Sequence, residues 1–311
     1  MTSIPQERVA QRGETRALSL PKWLPERWYV HVFLWMACFI LGIPLLYALI
    51  VSTQANAQVF AYQFTPGSSL VDNFNHVWYN VNLGRYMLNS TIMAVAITVA
   101  KTILSLLAGL AFVYFRFPGK WLVFGFVLIT LMMPTEILII ALARFVSDIR
   151  IALNNASDPT LASLIDAVGM GEGSRWPLIV PFMASATGTF LFRQHFANIP
   201  AELSEAAQLD GATPLQFLFR VLVPISWNAI GALAVIQFIY GWNMYLWPRI
   251  IIQGEELQVV QVGLRQLIAG DASNNFGPMM MGAVLASIPP VLVFILLQKQ
   301  FMSGFALGRD K

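Results

Sequence analysis

The sequence predicts an all-α, polytopic membrane protein with six transmembrane helices. Of its 311 residues, 57% are hydrophobic and only 11% are charged, whereas about 25% of the residues of a soluble domain are charged. The charges are also unevenly spaced, because residues 28–71, 221–248 and 272–298 contain no Asp, Glu, Lys or Arg. A membrane-spanning helix needs about 20 mostly apolar residues, so each of these gaps is long enough to hold one.

The apolar runs predict the helices in order along the chain. The first run exceeds the hydrophobic region of a signal peptide, which is about 7–15 residues long, so we expect it to remain uncleaved. Tryptophan and tyrosine lie near many predicted ends, as is typical of the headgroup region, although an aromatic-rich composition also places some there by chance. The predicted spans are 29–51, 88–115, 121–143, 176–196, 227–251 and 278–298.

The distribution of Lys and Arg predicts the orientation. Six spans place both termini on one side, and that side holds 12 Lys or Arg residues against 6 on the other. By the positive-inside rule, both termini are expected to be cytoplasmic. The predicted regions are a cytoplasmic tail (1–28), the first helix with an external loop (29–84), a transmembrane domain (85–299) and a second cytoplasmic tail (300–311).

The predicted external loop 144–175 contains a Gly-x-Gly-x-Gly stretch, Gly169 to Gly173. It does not fit the dinucleotide-binding fingerprint, because Ser174 occupies the place of the third glycine and no strand precedes it. The stretch therefore predicts a long flexible loop with a short helix and no nucleotide site.

Several classes of function are excluded by residues that the sequence lacks or scatters. The net charge of +3 comes from Lys and Arg dispersed along the chain, whereas nucleic-acid binding needs them gathered on one face. Cys38 is the only cysteine and the three histidines lack ligand spacing, so no disulfide or metal site is expected. The chain has no phosphate-binding loop for ATP. Glu136 is the only acid within the predicted spans, which argues against an intramembrane enzyme and leaves no candidate catalytic residue.

A hairpin of two short helices is predicted at 199–224, on the cytoplasmic side between spans four and five. Pro200 suits a first helical turn and Gly211 a left-handed helix end. Thr213 and Gln216 have the spacing of a capping box, and Pro224 precedes the fifth span. Such a corner predicts a rigid protrusion from the membrane.

An alternative for this hairpin is an amphipathic element that rests on the bilayer surface. Interfacial helices usually carry Lys and Arg on their polar face. This one carries Glu202, Glu205 and Asp210 against Arg220. The charge pattern therefore favours a protein partner, and the same acidity excludes a DNA-reading helix-turn-helix.

The hairpin sequence resembles the EAA motif of binding-protein-dependent ABC importer permeases, which have the type I importer fold. The residues that carry the resemblance are Glu205, Ala206, Ala207, Gly211, Val221, Val223 and Pro224. Across about 85–299 the chain is similar to the MalG-like carbohydrate branch. The stretches 183–194 and 238–248 are most similar to the second permeases of sn-glycerol-3-phosphate importers.

The resemblance implies partners and a location. Glu205 would contact an ATPase dimer, Gly211 would permit the bend, and the ATPase subunits would bind ATP and Mg, with no cofactor in this chain. A second, homologous permease would share the translocation path, and a periplasmic binding protein would deliver the substrate. The location would be the bacterial inner membrane, among its lipids. The implied substrate is sn-glycerol 3-phosphate. An alternative is the same kind of importer for a neutral, maltose-like oligosaccharide, and a less favoured alternative is a stand-alone secondary transporter.

Residues for the translocation path are proposed from polar groups within spans. Lys101 lies mid-way along an apolar run, and Glu136 follows the helix-weakening Pro134. Because a buried ammonium is costly in a membrane, Lys101 either pairs with Glu136, which we favour, or offers positive potential to a phosphate. Asn243, Tyr245 and Trp247 late in span five either line the path for a polyol phosphate or, for Trp247, anchor the helix at the interface.

Overall fold

The computed structural model describes residues 28–154, 163, 175–252, 254–269 and 275–306, with the side chains of 136, 150, 153, 154, 269 and 304–306 left aside. The described residues form helices and their connections, without strands. The α-helices are α1 (Trp28–Ser52), α2 (Asn56–Phe60), α3 (Leu70–Asn75), α4 (Leu83–Tyr114), α5 (Lys120–Leu131), α6 (Thr135–Asn154), α7 (Trp176–Ile179), α8 (Ala186–Ala197), α9 (Ala201–Leu209), α10 (Pro214–Phe217), α11 (Val223–Ile225), α12 (Trp227–Trp242), α13 (Leu246–Ile251), α14 (Val260–Ala269) and α15 (Phe276–Ala306).

The chain divides into two compact units after Tyr47. The described part of the first unit is the beginning of α1, which is apolar and exposed on nearly all sides, including at Cys38. The second unit contains the remaining helices and three clusters of buried apolar side chains.

Among the described residues, three helices are long and apolar enough to cross a membrane: α1, α4 and α15 over Phe276–Ser303. A fourth span is possible if Pro214–Ile225 and α12, which meet at an angle of 82°, count as one. The prediction of an all-helical membrane protein is confirmed. The prediction of six spans is not, because the length and composition of the described helices identify only three or four.

The predicted third, fourth and fifth spans are not single helices, and proline is a common cause. Pro134, Pro181 and Pro248 have no N–H for the helical ladder. The third span breaks between α5 and α6, the fourth passes through a 3-10 turn at Val180–Phe182, and the fifth breaks between α12 and α13. The predicted loop residues 155–162 and 164–174, including Gly169 to Gly173, lie outside the described residues, as do 1–27 and 307–311.

Small residues bring α4 and α8 close together. A Cβ on Gly109 of α4 would lie 2.8 Å from the Cβ of Phe192 on α8. A Cβ on Gly188 of α8 would overlap the Oγ of Ser105 on α4. Small residues at such crossings are typical of helix pairs in membranes, where close van der Waals packing drives association.

Candidate functional site

The corner of the predicted hairpin is a Schellman motif at the end of α9. Gly211 has a φ of +71°, the left-handed conformation that glycine adopts without a steric penalty. Its N–H donates to the Gln208 carbonyl at 3.0 Å, and the Ala212 N–H donates to the Ala207 carbonyl at 2.9 Å. The predicted helix end at Gly211 is confirmed.

The second helix of the hairpin, α10, begins with the predicted capping box. The Thr213 Oγ1 accepts from the Gln216 N–H at 3.3 Å, and the Gln216 Oε1 accepts from the Thr213 N–H at 2.8 Å. After α10 the chain forms one π-helical segment at Leu218–Leu222 and then α11, which contains Pro224. Pro224 thus precedes the 82° bend and α12 by a few residues.

The motif residues divide between the core and the surface. Ala207 packs against the buried cluster that includes Phe196, Phe217 and Leu222. Glu205 and Ala206 are exposed. Apolar side chains are exposed on the same hairpin, with Leu209 90% exposed. An acidic surface mixed with exposed leucine, on a hairpin braced by hydrogen bonds, is suited to binding another protein.

Lys101 belongs to a buried polar network that joins three helices. It is 7% exposed, and its Nζ donates to Gln237 Oε1 of α12 at 3.0 Å. Gln237 Nε2 donates to the Oγ of Ser185 at 3.2 Å, and that Oγ accepts from the Gly188 N–H at the start of α8. The Nζ also lies 4.4 Å from the ring centroid of Tyr240, a cation–π distance.

Tyr240 connects this network to a cavity of about 440 Å³. The cavity is mainly apolar and aromatic, and it contains three of the residues predicted for the path: Asn243, Tyr245 and Trp247. It also includes Thr135, the neighbour of Glu136. The side chain of Glu136 lies outside the described part of the structure, so the predicted pair with Lys101 stays a prediction.

Trp247 is held in the core rather than at an exposed interface. Its side chain is 1% exposed, and its ring lies 5.4 Å from the ring of Phe182. The indole N–H donates to the Pro177 carbonyl at 3.0 Å. That carbonyl is free because Pro181, four residues later, has no N–H to offer. The alternative of Trp247 as an exposed interface anchor is therefore wrong within this chain.

Sequence reasoning missed Gln237, Ser185 and Tyr240. A signal for Gln237 was present, because it is the one amide side chain within 229–242, an otherwise mostly apolar stretch. Polar side chains in apolar helices commonly hydrogen-bond to neighbouring helices. Neither Ser185 nor Tyr240 carries a comparable signal.

Residues 101–305 match the family described as binding-protein-dependent transport system inner membrane component. The chain belongs to this family. The match begins at Lys101 and includes the hairpin, the cavity helices and α15. The predicted resemblance to binding-protein-dependent permeases is thereby confirmed: the chain is a non-enzymatic membrane permease of an ABC importer, and ATPase activity resides in partner subunits.

Curated relatives of this permease carry the name sn-glycerol-3-phosphate transport system permease protein UgpE. The protein from Pectobacterium atrosepticum is 37% identical over 285 residues, covering 89% of this chain and 94% of the relative. The proteins from Brucella melitensis and Escherichia coli O1:K1 are 36% and 35% identical over 88% and 89% of this chain, and both are covered to 94%.

Two solved structures share the permease fold. A chain of a bacterial ABC transporter involved in the import of the acidic polysaccharide alginate superposes with a TM-score of 0.68 at 22% identity, over 88% of this chain and 95% of that one. A second, from an alginate transporter in complex with an alginate-bound periplasmic protein, gives a TM-score of 0.53 at 14% identity, over 87% and 92%. These likenesses show that the chain has the fold of an ABC importer permease.

Proposed function

We propose that this permease forms the translocation path for sn-glycerol 3-phosphate together with a second, homologous permease. The observation that carries the proposal is the 35–37% identity to permeases of sn-glycerol-3-phosphate transport systems over 94% of their length. An ATPase dimer binds ATP and Mg, and a periplasmic binding protein delivers the substrate. Among the described residues, no group of His, Cys, Asp or Glu could hold a metal ion, and we propose that this chain needs no cofactor of its own.

Six spans with both termini cytoplasmic complete the topology that we propose. The third, fourth and fifth spans are each assembled from broken helices: α5 with α6, α7 with α8, and α12 with α13. Broken helices are tolerated in membranes where neighbouring helices satisfy the freed backbone groups, as the Trp247 bond to the Pro177 carbonyl does. The excess of Lys and Arg on the side of the termini supports the orientation.

The hairpin 199–224 is proposed to transmit the motion of the ATPase dimer. Glu205 and Ala206 face outwards and contact the ATPase, while Ala207 packs against the core. The Schellman motif at Gly211 and the capping box at Thr213 fix the angle between α9 and α10. A displacement of α9 by the ATPase is therefore transmitted to α12 through the bend after Pro224.

Lys101 is proposed to make the path attractive to an anionic substrate. Its hydrogen-bond partner, Gln237, is neutral, so the amide orients the ammonium without cancelling its charge. The ring of Tyr240, 4.4 Å from the ammonium, also lines the cavity. A positive charge next to a residue that lines the cavity favours a phosphate over a neutral solute, because electrostatic interactions are strong where water is excluded.

A second candidate substrate is a neutral sugar. Tyr240, Tyr245 and Trp247 line the cavity, and aromatic faces pack well against the apolar faces of sugar rings. Uptake of labelled sn-glycerol 3-phosphate and of labelled maltose, in cells that express the permease with its cognate partners and lack other uptake systems, separates the two.

Lys101→Met sharpens this test. We expect it to lower uptake of sn-glycerol 3-phosphate about tenfold or more while the complex still assembles, and Lys101→Arg to restore part of the uptake. Maltose uptake by the wild type would favour the neutral sugar. Loss of assembly in Lys101→Met would instead assign Lys101 to structure.

A further inference from the structure

Three basic side chains lie near one exposed indole where α4 ends and α5 begins. Arg116 and Lys120 flank the turn between the helices, and Trp121 follows in the first turn of α5. The guanidinium carbon of Arg193, on α8, lies 5.1 Å from the ring centroid of Trp121. Arg116, Lys120 and Trp121 line one cavity of about 480 Å³. These four residues are named the basic cluster.

The positive charge of the basic cluster is not neutralised by the described residues. The described residues that line the cavity include no carboxylate, and the one ion pair among the described residues, Arg85–Glu256, lies elsewhere. Lys120 Nζ donates to the Phe115 carbonyl at 3.0 Å, which fixes the ammonium but leaves its charge in place. Arg116 makes no hydrogen bond to any described residue. The cluster therefore has the charge and the free donors to bind an anion.

Apolar side chains continue from the basic cluster along one face of α5. Leu122 is 77% exposed, and Phe126 and Ile129 are also exposed. Their spacing of four and three residues places them on one side of the helix. A free phosphate would contact the cations alone, and a soluble acidic protein would not need the row of exposed apolar side chains along α5. A phospholipid uses both, with its headgroup at the cations and its chains along that row.

The position of the cluster fits the boundary of a bilayer. It lies at the end of α4, which is long and apolar enough to span a membrane. An exposed Trp121 beside basic side chains is typical of that depth, where indole rings favour the headgroup region. Basic pockets between transmembrane helices bind anionic headgroups.

We propose that the basic cluster is a binding site for an anionic phospholipid. Arg116, Lys120 and Arg193 bind the phosphate, Trp121 packs beside the headgroup, and the acyl chains lie along Leu122, Phe126 and Ile129. The proposal is independent of the transported substrate, since none of these residues lines the cavity beside Tyr240.

Native mass spectrometry of the purified permease with its co-purified partners tests this site. Dioleoyl phosphatidylglycerol and dioleoyl phosphatidylcholine are titrated separately, with inorganic phosphate as a competitor. The test variant is Arg116→Gln/Lys120→Gln/Arg193→Gln. The matched control, Arg144→Gln/Arg249→Gln/Arg265→Gln, removes three exposed arginines outside the cluster.

We expect the test variant to bind phosphatidylglycerol about a hundredfold more weakly and Arg116→Gln alone about fivefold more weakly, since each cation near a membrane surface contributes about a fivefold factor. Phosphatidylcholine binding and the matched control should not change. If the triple variant does not fold, Arg116→Gln decides, because that side chain holds no other described group.

Three results would overturn the proposal. The first is wild-type affinity for phosphatidylglycerol in the triple variant, or in Arg116→Gln if the triple variant does not fold. The second is displacement of the lipid by millimolar phosphate, which would indicate a free-anion site. The third is loss of the co-purified ATPase with lipid binding intact, which would indicate a protein contact.

Discussion

Gly211→Ala probes the corner of the coupling hairpin with almost no change in shape. A Cβ at this position would meet no atom within 4 Å, so the cost comes from the φ of +71° alone. An L-residue in the left-handed region costs about 1–2 kcal/mol. A cost of that size raises the population of the opened corner about 5- to 30-fold.

Hydrogen exchange followed by mass spectrometry measures that opening. In the assembled importer, the N–H groups of Gly211 and Ala212 should exchange about 5- to 30-fold faster in Gly211→Ala. ATP hydrolysis should continue while uptake per ATP falls, since a looser corner transmits less motion to α12. Gly211→Asn should lie closer to the wild type, because asparagine tolerates this conformation better.

Gly119 provides a matched control. It has a φ of +72°, and a Cβ at this position would meet no atom within 4 Å, but it lies in the turn between α4 and α5. Gly119→Ala should therefore destabilise its own turn by the same free energy and leave uptake per ATP unchanged. Equal loss of uptake in both variants, or wild-type exchange at the hairpin in Gly211→Ala, would refute the role given to this corner.

Other predictions concern the docking surface and the helix contacts. Glu205→Arg should abolish co-purification of the ATPase without lowering the melting temperature of the permease, whereas Asp148→Arg, outside the hairpin, should change neither. Gly188→Ala should destabilise the fold by about 1–3 kcal/mol through overpacking, and Ser105→Gly should restore part of that loss in a double-mutant cycle; simple additivity would contradict the contact. Trp247→Phe should cost about 1–3 kcal/mol, because it leaves the buried Pro177 carbonyl without a donor; an unchanged melting temperature would argue against this bond.

Local signals made the hairpin predictable from the sequence. Gly211, Thr213 and Gln216 act on backbone groups within five residues of themselves, so the sequence contains both partners of each interaction. The long helices α1, α4 and α15 were predictable for a similar reason, since length and uninterrupted apolar composition are local properties.

The broken spans and the buried network depend on partners distant in the chain. The Pro177 carbonyl is freed by Pro181, but its new donor, Trp247, lies 70 residues away. A buried Lys101 predicted a polar partner, and opposite charge made Glu136 the candidate. The hydrogen bond among the described residues is instead to the neutral Gln237, 136 residues away. Such pairings follow from the packing of α4, α8 and α12, which a single sequence does not reveal.

We propose that this permease couples ATP hydrolysis to the import of sn-glycerol 3-phosphate. The most direct measurement is the ATPase activity of the complete importer, reconstituted in lipid vesicles with its periplasmic binding protein, with sn-glycerol 3-phosphate, maltose or no solute. We predict stimulation by sn-glycerol 3-phosphate and none by maltose. Stimulation by maltose alone, or a purified permease without any associated ATPase, would contradict this coupling.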